Sequence, residues 1–117
     1  MGDLGQTTRE LVEMYVRNGH LMRALSDAAN NDAEVETVHR KMFASVIKVT
    51  AQRIRDHIAS GATALDGLDP DEIAAALLWM NERYMIERLG RRPQADPKLV
   101  ADTLTAIWLR VLHGVSH

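Results

Sequence analysis

At 117 residues the chain is the size of one ordinary domain, 1–117, and is long enough to bury a core without covalent staples. It has no cysteine, and its 14 basic and 16 acidic side chains leave a formal charge of −2, so disulfides, thiolate chemistry and a strong overall pull toward phosphate backbones are excluded. No apolar run approaches the ~20 residues that span a bilayer, and the N-terminus lacks the basic-then-apolar order of a signal peptide, so the chain is expected to be soluble and cytoplasmic, with no membrane partner.

Strand-like alternation is missing and helix boundary signals recur, which predicts an all-α protein of five helices. Thr7 and Glu10 stand at capping-box spacing, and Leu11, Val12, Tyr15 and Val16 give the first helix an apolar face that Asn18-Gly19 ends. A short second helix follows with Leu21, Met22, Leu25 and Ala29 facing inward, and Asn30, Asn31 and Asp32 are expected to break it and cap the third, with Asn31 and Glu34 at capping-box spacing. That third helix, Ala33 to Ser60, is the expected spine of the domain, with Val35, Val38, Met42, Val46, Val49 and Ile54 on one side and Phe43, Ile47 and Ile58 widening the stripe. Gly61 to Leu68 reads as a loop. Asp69 and Pro70 start the fourth helix and Gly90 ends it. After a short connection containing Pro93, Asp96-Pro97 repeats the start signal for a fifth, carrying Val100, Leu104, Ile107, Trp108, Val111 and Leu112 and closed by Gly114.

The fourth helix is the most informative. Ile73, Leu77, Met80 and Tyr84 form one apolar stripe, while Leu78, Trp79, Met85, Ile86 and Leu89 form a second beside it. One stripe suffices for packing inside a domain, so the second asks for another partner. Asn81 and Glu82 lie in the middle, and the helical neighbours of Asn81 are Leu77, Leu78, Tyr84 and Met85. An amide buried there without a bond would cost about 1–3 kcal/mol. It can bond a backbone carbonyl or a side chain of the fifth helix, with Glu82 paired to an arginine, or it can point into an apolar cavity and bond a ligand. Thr50, Gln52 and Trp108 could complete such a cavity.

Other residues have plainer readings. His20, His39, His57, His113 and His117 form no tight ligand pattern, so neither a metal nor another cofactor is expected. There is no Gly-x-Ser-x-Gly elbow, cysteine nucleophile or phosphate-cradling glycine loop, and no enzyme is expected. Met14, Met22, Met42, Met80, Met85, Trp79 and Trp108 read as core, although Trp79 on the second stripe could face another chain. Arg83, Arg88, Arg91 and Arg92 cluster where cations oppose a helix dipole favourably, a better account than a nucleic-acid patch in this acidic chain.

The ALxxMNER run from Ala76 to Arg83 and the LxxIWxxxxxG run from Leu104 to Gly114 resemble the C-terminal regulatory region of TetR-family transcriptional repressors. The likeness is to the actinobacterial subgroup of the mycobacterial ethionamide-resistance regulator. It implies a five-helix bundle whose last two helices build a dimeric four-helix bundle, giving a homodimer. Leu78, Trp79, Glu82, Met85, Ile86, Leu89, Leu104 and Val111 are the interface residues so implied. It also implies a tunnel for a small hydrophobic effector, with Asn81 contacting ligand, Trp108 lining the wall, and Met42, Val46, Val49, Thr50, Met14 and Asn18 matching along the spine and first helices. The chain departs from the pattern in holding Met14, Asn18, Val46 and Val49 where the subgroup is rich in aromatics, and Leu78 in place of a second asparagine. Family members begin with a helix-turn-helix DNA-binding domain whose residues are not seen here. The chain is therefore expected to be the ligand-sensing and dimerisation half, a fragment that meets operator DNA only through that N-terminal domain. The alternative is a structural helical dimerisation module with no ligand.

Overall fold

The computed structural model describes residues 2–114, and in the first helix the side chains of Glu10, Val12, Glu13 and every residue from Val16 onward. Four helices follow one another: α1 (Gly2–Asn31), α2 (Ala33–Ala59), α3 (Pro70–Leu89) and α4 (Pro97–His113), with no strand among the described residues. The expected all-α class holds. The break expected at Asn18-Gly19 is present, since Asn18 leaves helical geometry (φ −123°, ψ 19°), and the two helical stretches on either side follow without a loop and are counted together as α1.

The bend has a packing cause. Gly19 lies against the end of α3 so closely that a Cβ on it would sit 2.6 Å from the Leu89 carbonyl oxygen, and one on Gly90 would sit 3.0 Å from that of Gly19. Two backbones meet here because neither residue has a side chain. The Gln94 side-chain amide ties the same corner, donating from Nε2 to Leu89 O (2.9 Å) and to Val16 O (3.3 Å). Asn18-Gly19 thus marks both the break in the helix and a crossing with the end of α3.

The remaining starts follow local chemistry. Asp32, not Asn31, caps α2: its Oδ1 accepts from the backbone N–H of Glu34 (2.9 Å) and Val35 (3.2 Å), while Asn31 Nδ2 donates back to Asp27 O. Asp69 accepts from Asp71 N and Asp96 from Lys98 N, each ahead of a proline at the first helical position. No helix among the described residues is long and apolar enough to cross a membrane.

Helix α3 packs on all three other helices, as α1 does, and contributes to both apolar clusters. Leu77 and Leu78 join Ala51, Ile54, Leu65, Trp108 and Leu112 in one apolar cluster, and Met85, Ile86 and Leu89 join Val12, Val100, Ala101 and Leu104 in another. The second stripe of α3 therefore finds its cover within the same chain. Helix α2 also has two apolar rows, and only Phe43, Ile47, Ala51, Ile54 and Ile58 turn toward the core. The row Val38, Met42, Val46 and Val49, expected to pack inward, is exposed, as are Leu21 and Leu25 of α1. The bundle spans 42 × 32 × 19 Å. Its short axis holds about two helix diameters of ~10 Å, so no third layer covers the outer side of α2.

The Gly19 crossing makes a direct prediction. Gly19→Ala should destabilise the chain by about 1–3 kcal/mol, because neither touching partner is a movable side chain. Chemical denaturation followed by circular dichroism measures this, and a change within about 0.5 kcal/mol would contradict the close approach.

Candidate functional site

Asn81 is 3 % exposed and is the one buried polar side chain among the described residues. Its Oδ1 accepts a hydrogen bond from the indole Nε1–H of Trp108 at 3.0 Å. An indole is a donor only, so a buried tryptophan needs an acceptor, and the amide oxygen supplies one. Two of the expected site residues, 27 positions apart, are thereby brought together. Of the two bonding options open to Asn81, its oxygen takes the one to a side chain of the last helix.

Glu82 is bonded, but not by an arginine. His39 Nε2 lies 2.8 Å from Glu82 Oε1, both side chains being largely covered. Beside this pair Phe43 stacks on Trp79, with ring centroids 3.8 Å apart and planes 15° apart, and the His39 ring sits 5.8 Å from Trp79 and 5.9 Å from Phe43. One histidine, two aromatic rings and a carboxylate fasten the first half of α2 to α3. The signal was present in sequence as His39 and Phe43 four apart on one helix and Trp79 and Glu82 three apart on the other. Only folding could show that the two pairs face each other.

The other expected ligand residues lie apart from Asn81. Met42, Val46 and Val49 are 68 %, 49 % and 58 % exposed, and with Val38 they form a continuous row within an arc of roughly 80° on α2 at ~100° per residue. Thr50 is half-buried beside them and Asn18 is exposed at the bend of α1. The side chain of Met14 lies outside the described residues. A cleft of about 240 Å³ opens elsewhere, lined by Val12, Glu13, Val16, Arg17 and Pro97, and none of the expected ligand residues lines it.

The residues expected at a dimer surface divide in two. Leu78, Met85, Ile86, Leu89 and Leu104 are buried inside one chain, whereas Trp79, Glu82 and Val111 are half-buried. Helix α4 does carry an uncovered row, Leu99 and Ile107 with Thr103 and Arg110 on the same side.

Two of the four arginines near the end of α3, Arg83 and Arg91, share one carboxylate partner. Glu87 lies 2.8 Å from Arg83 and 2.9 Å from Arg91. The Arg91 hydrogen bond holds its carboxyl below the usual carboxylate range. Of the histidines, His57 bonds the Leu112 carbonyl (2.9 Å) and its ring meets that of His113 edge-on. His117 lies outside the described residues. No group of three metal-ligating side chains occurs among the described residues.

The family model for the C-terminal domain of the transcriptional regulator EthR matches residues 5–114. The chain belongs to this family, and is a TetR-type regulator C-terminal domain. A search of curated proteins returned no match.

The Asn81–Trp108 bond can be tested by a cycle. Asn81→Leu should cost about 1–3 kcal/mol by stranding the indole N–H, and Trp108→Phe should also destabilise. Because Asn81→Leu together with Trp108→Phe strands neither group on the other, the double variant should lose less than the two single losses added. Strict additivity in urea unfolding would show that the bond contributes nothing.

Proposed function

We propose that this chain is the ligand-sensing and dimerisation domain of a TetR-type transcriptional repressor, and that a small apolar effector bound to it controls DNA binding by the intact protein. The observation that supports this is the open row Val38, Met42, Val46 and Val49 in a chain of this family. A buried core needs no such row, and a monomer rarely leaves a continuous apolar stripe without a use for it. The effector lies along α2, with Thr50 at the edge of the row and Leu21, Leu25 and Asn18 contributed by α1. An effector acts only through differential affinity: for every ~1.4 kcal/mol by which it favours one conformer, the balance of conformers moves tenfold.

The dimer uses the last two helices, with the exposed side of α4 as the surface available for contact. Leu99, Thr103, Ile107 and Arg110 supply a central apolar pair and a polar margin. The side chains of α3 that are already buried in one chain support that surface from behind.

The second reading, a helical dimerisation module without ligand, is favoured by the Asn81–Trp108 bond, which gives both polar groups a structural role. The two readings separate in a thermal-shift experiment with 1-decanol as an uncharged apolar probe. The effector reading expects a concentration-dependent rise in Tm that is lost in Met42→Glu with Val46→Glu, two exposed substitutions that should leave the fold within about 0.5 kcal/mol of the parent each. No rise with the parent chain favours the module. Dimerisation is checked separately by mass in solution: Ile107→Asp should halve it, and an unchanged dimer would show that α4 contributes no essential contact there.

A further inference from the structure

The charge around the open row of α2 is one-sided. Between Glu36 and Asp56 the chain has no acidic residue, but it has Arg40, Lys41, Lys48, Arg53 and Arg55. Two of these are neutralised, Arg40 by Glu36 at 2.9 Å and Arg55 by Asp71 at 2.6 Å. Among the described residues Lys41, Lys48 and Arg53 have no carboxylate partner. All three are exposed.

Their places on the helix follow from its period. Lys41 and Lys48 are seven residues apart and so share one line, about 60–80° from Val38, the near edge of the apolar row. Arg53 is one turn past Val49 and extends the row itself. The row therefore has a cationic border and ends at Arg53, with the exposed Asp56, which accepts from Gln52, further along the same line. In a chain whose net charge is −2 this concentration is local. It does not follow from composition.

We propose that the occupant of the α2 row is an anionic amphiphile: an apolar chain that lies along Val38, Met42, Val46 and Val49, bordered by Lys41, and ends in a carboxylate or comparable anionic head met by Arg53 and Lys48. The inference rests on the reading of that row as the effector site and adds the class of ligand. The chain contributes the apolar burial, which has little preference for one end group over another. The head contributes the selectivity, since an anion brought beside cations at the edge of an apolar surface is attracted more strongly than in bulk water and a cation is repelled. Lysine stems also cover apolar surface while keeping the ammonium in solvent, so the border can close over the chain and still reach the head.

The test compares three probes with the same ten-carbon chain near neutral pH and below their micelle concentrations: decanoate, 1-decanol and decyltrimethylammonium. Calorimetric titration of the full chain should give decanoate about tenfold tighter than 1-decanol, with the ammonium weakest. Raising salt from about 0.05 M to about 0.5 M should weaken decanoate and leave 1-decanol unchanged. Replacing the three cations together, Lys41→Gln, Lys48→Gln and Arg53→Gln, should bring decanoate to the level of 1-decanol without altering 1-decanol. These positions are exposed, so circular dichroism of the triple variant should match the parent. Equal binding of decanoate and 1-decanol by the parent overturns the anionic class and leaves the apolar site standing. Binding of none of the three overturns the effector site, and this inference with it. Binding only to vesicles containing anionic lipid, with no affinity for monomeric decanoate, would assign the cations to a membrane surface and overturn the proposal.

Discussion

Burial of both apolar sides of α3 is the constraint on which the rest of this bundle depends. Leu77 and Leu78 belong to a cluster built with α2 and α4, and Met85, Ile86 and Leu89 to one built with α1 and α4. A helix surrounded in this way leaves its neighbours to pack by one side each. For α2, which is apolar on two sides, that division decides everything: Phe43, Ile47, Ala51 and Ile54 face α3, and Met42 and Val46 face out. The exposed row is the direct remainder of the core arrangement.

Polar groups set the alignment that apolar burial alone would leave loose. The Trp108–Asn81 bond fixes α4 against the middle of α3, and the His39–Glu82 pair with the Phe43–Trp79 stack fixes α2 against the same stretch. Hydrophobic contact is non-directional, whereas each of these contacts has a preferred distance and orientation. At the far end of α3, the Gly19–Gly90 approach and the Gln94 amide hold α1. The segment Trp79 to Gly90 thus carries a specific tie to every other helix, and the family motif falls at its start.

This arrangement suits a sensing role. The core ties lie inside, and the row open to an occupant lies on the helix that has one free side. The fold is all-α and the chain belongs to the family of the EthR C-terminal domain, which is a family of transcription-regulator domains. The apolar surface that the core arrangement leaves uncovered lies on α2 and α4.

Several features were legible in the sequence because they are local. Asp69-Pro70 and Asp96-Pro97 start helices wherever they are placed, since a carboxylate accepting from the next turn and a proline without an N–H need nothing from the rest of the chain. The helical class, the packing of Leu77 on one apolar stripe of α3, and the need of Asn81 for a partner follow from periodicity and polarity in the same way. Tertiary structure decided what depends on pairs of distant residues. It made the break expected at Asn18-Gly19 a sharp bend with no loop, where Gly90 arrives from far along the chain to lie against it. It gave Glu82 a histidine in place of an arginine, and the second stripe of α3 a cover from its own chain. For α2 the period shows two apolar rows of similar quality, and nothing within that helix chooses between them. The choice was made by which row α3 could reach.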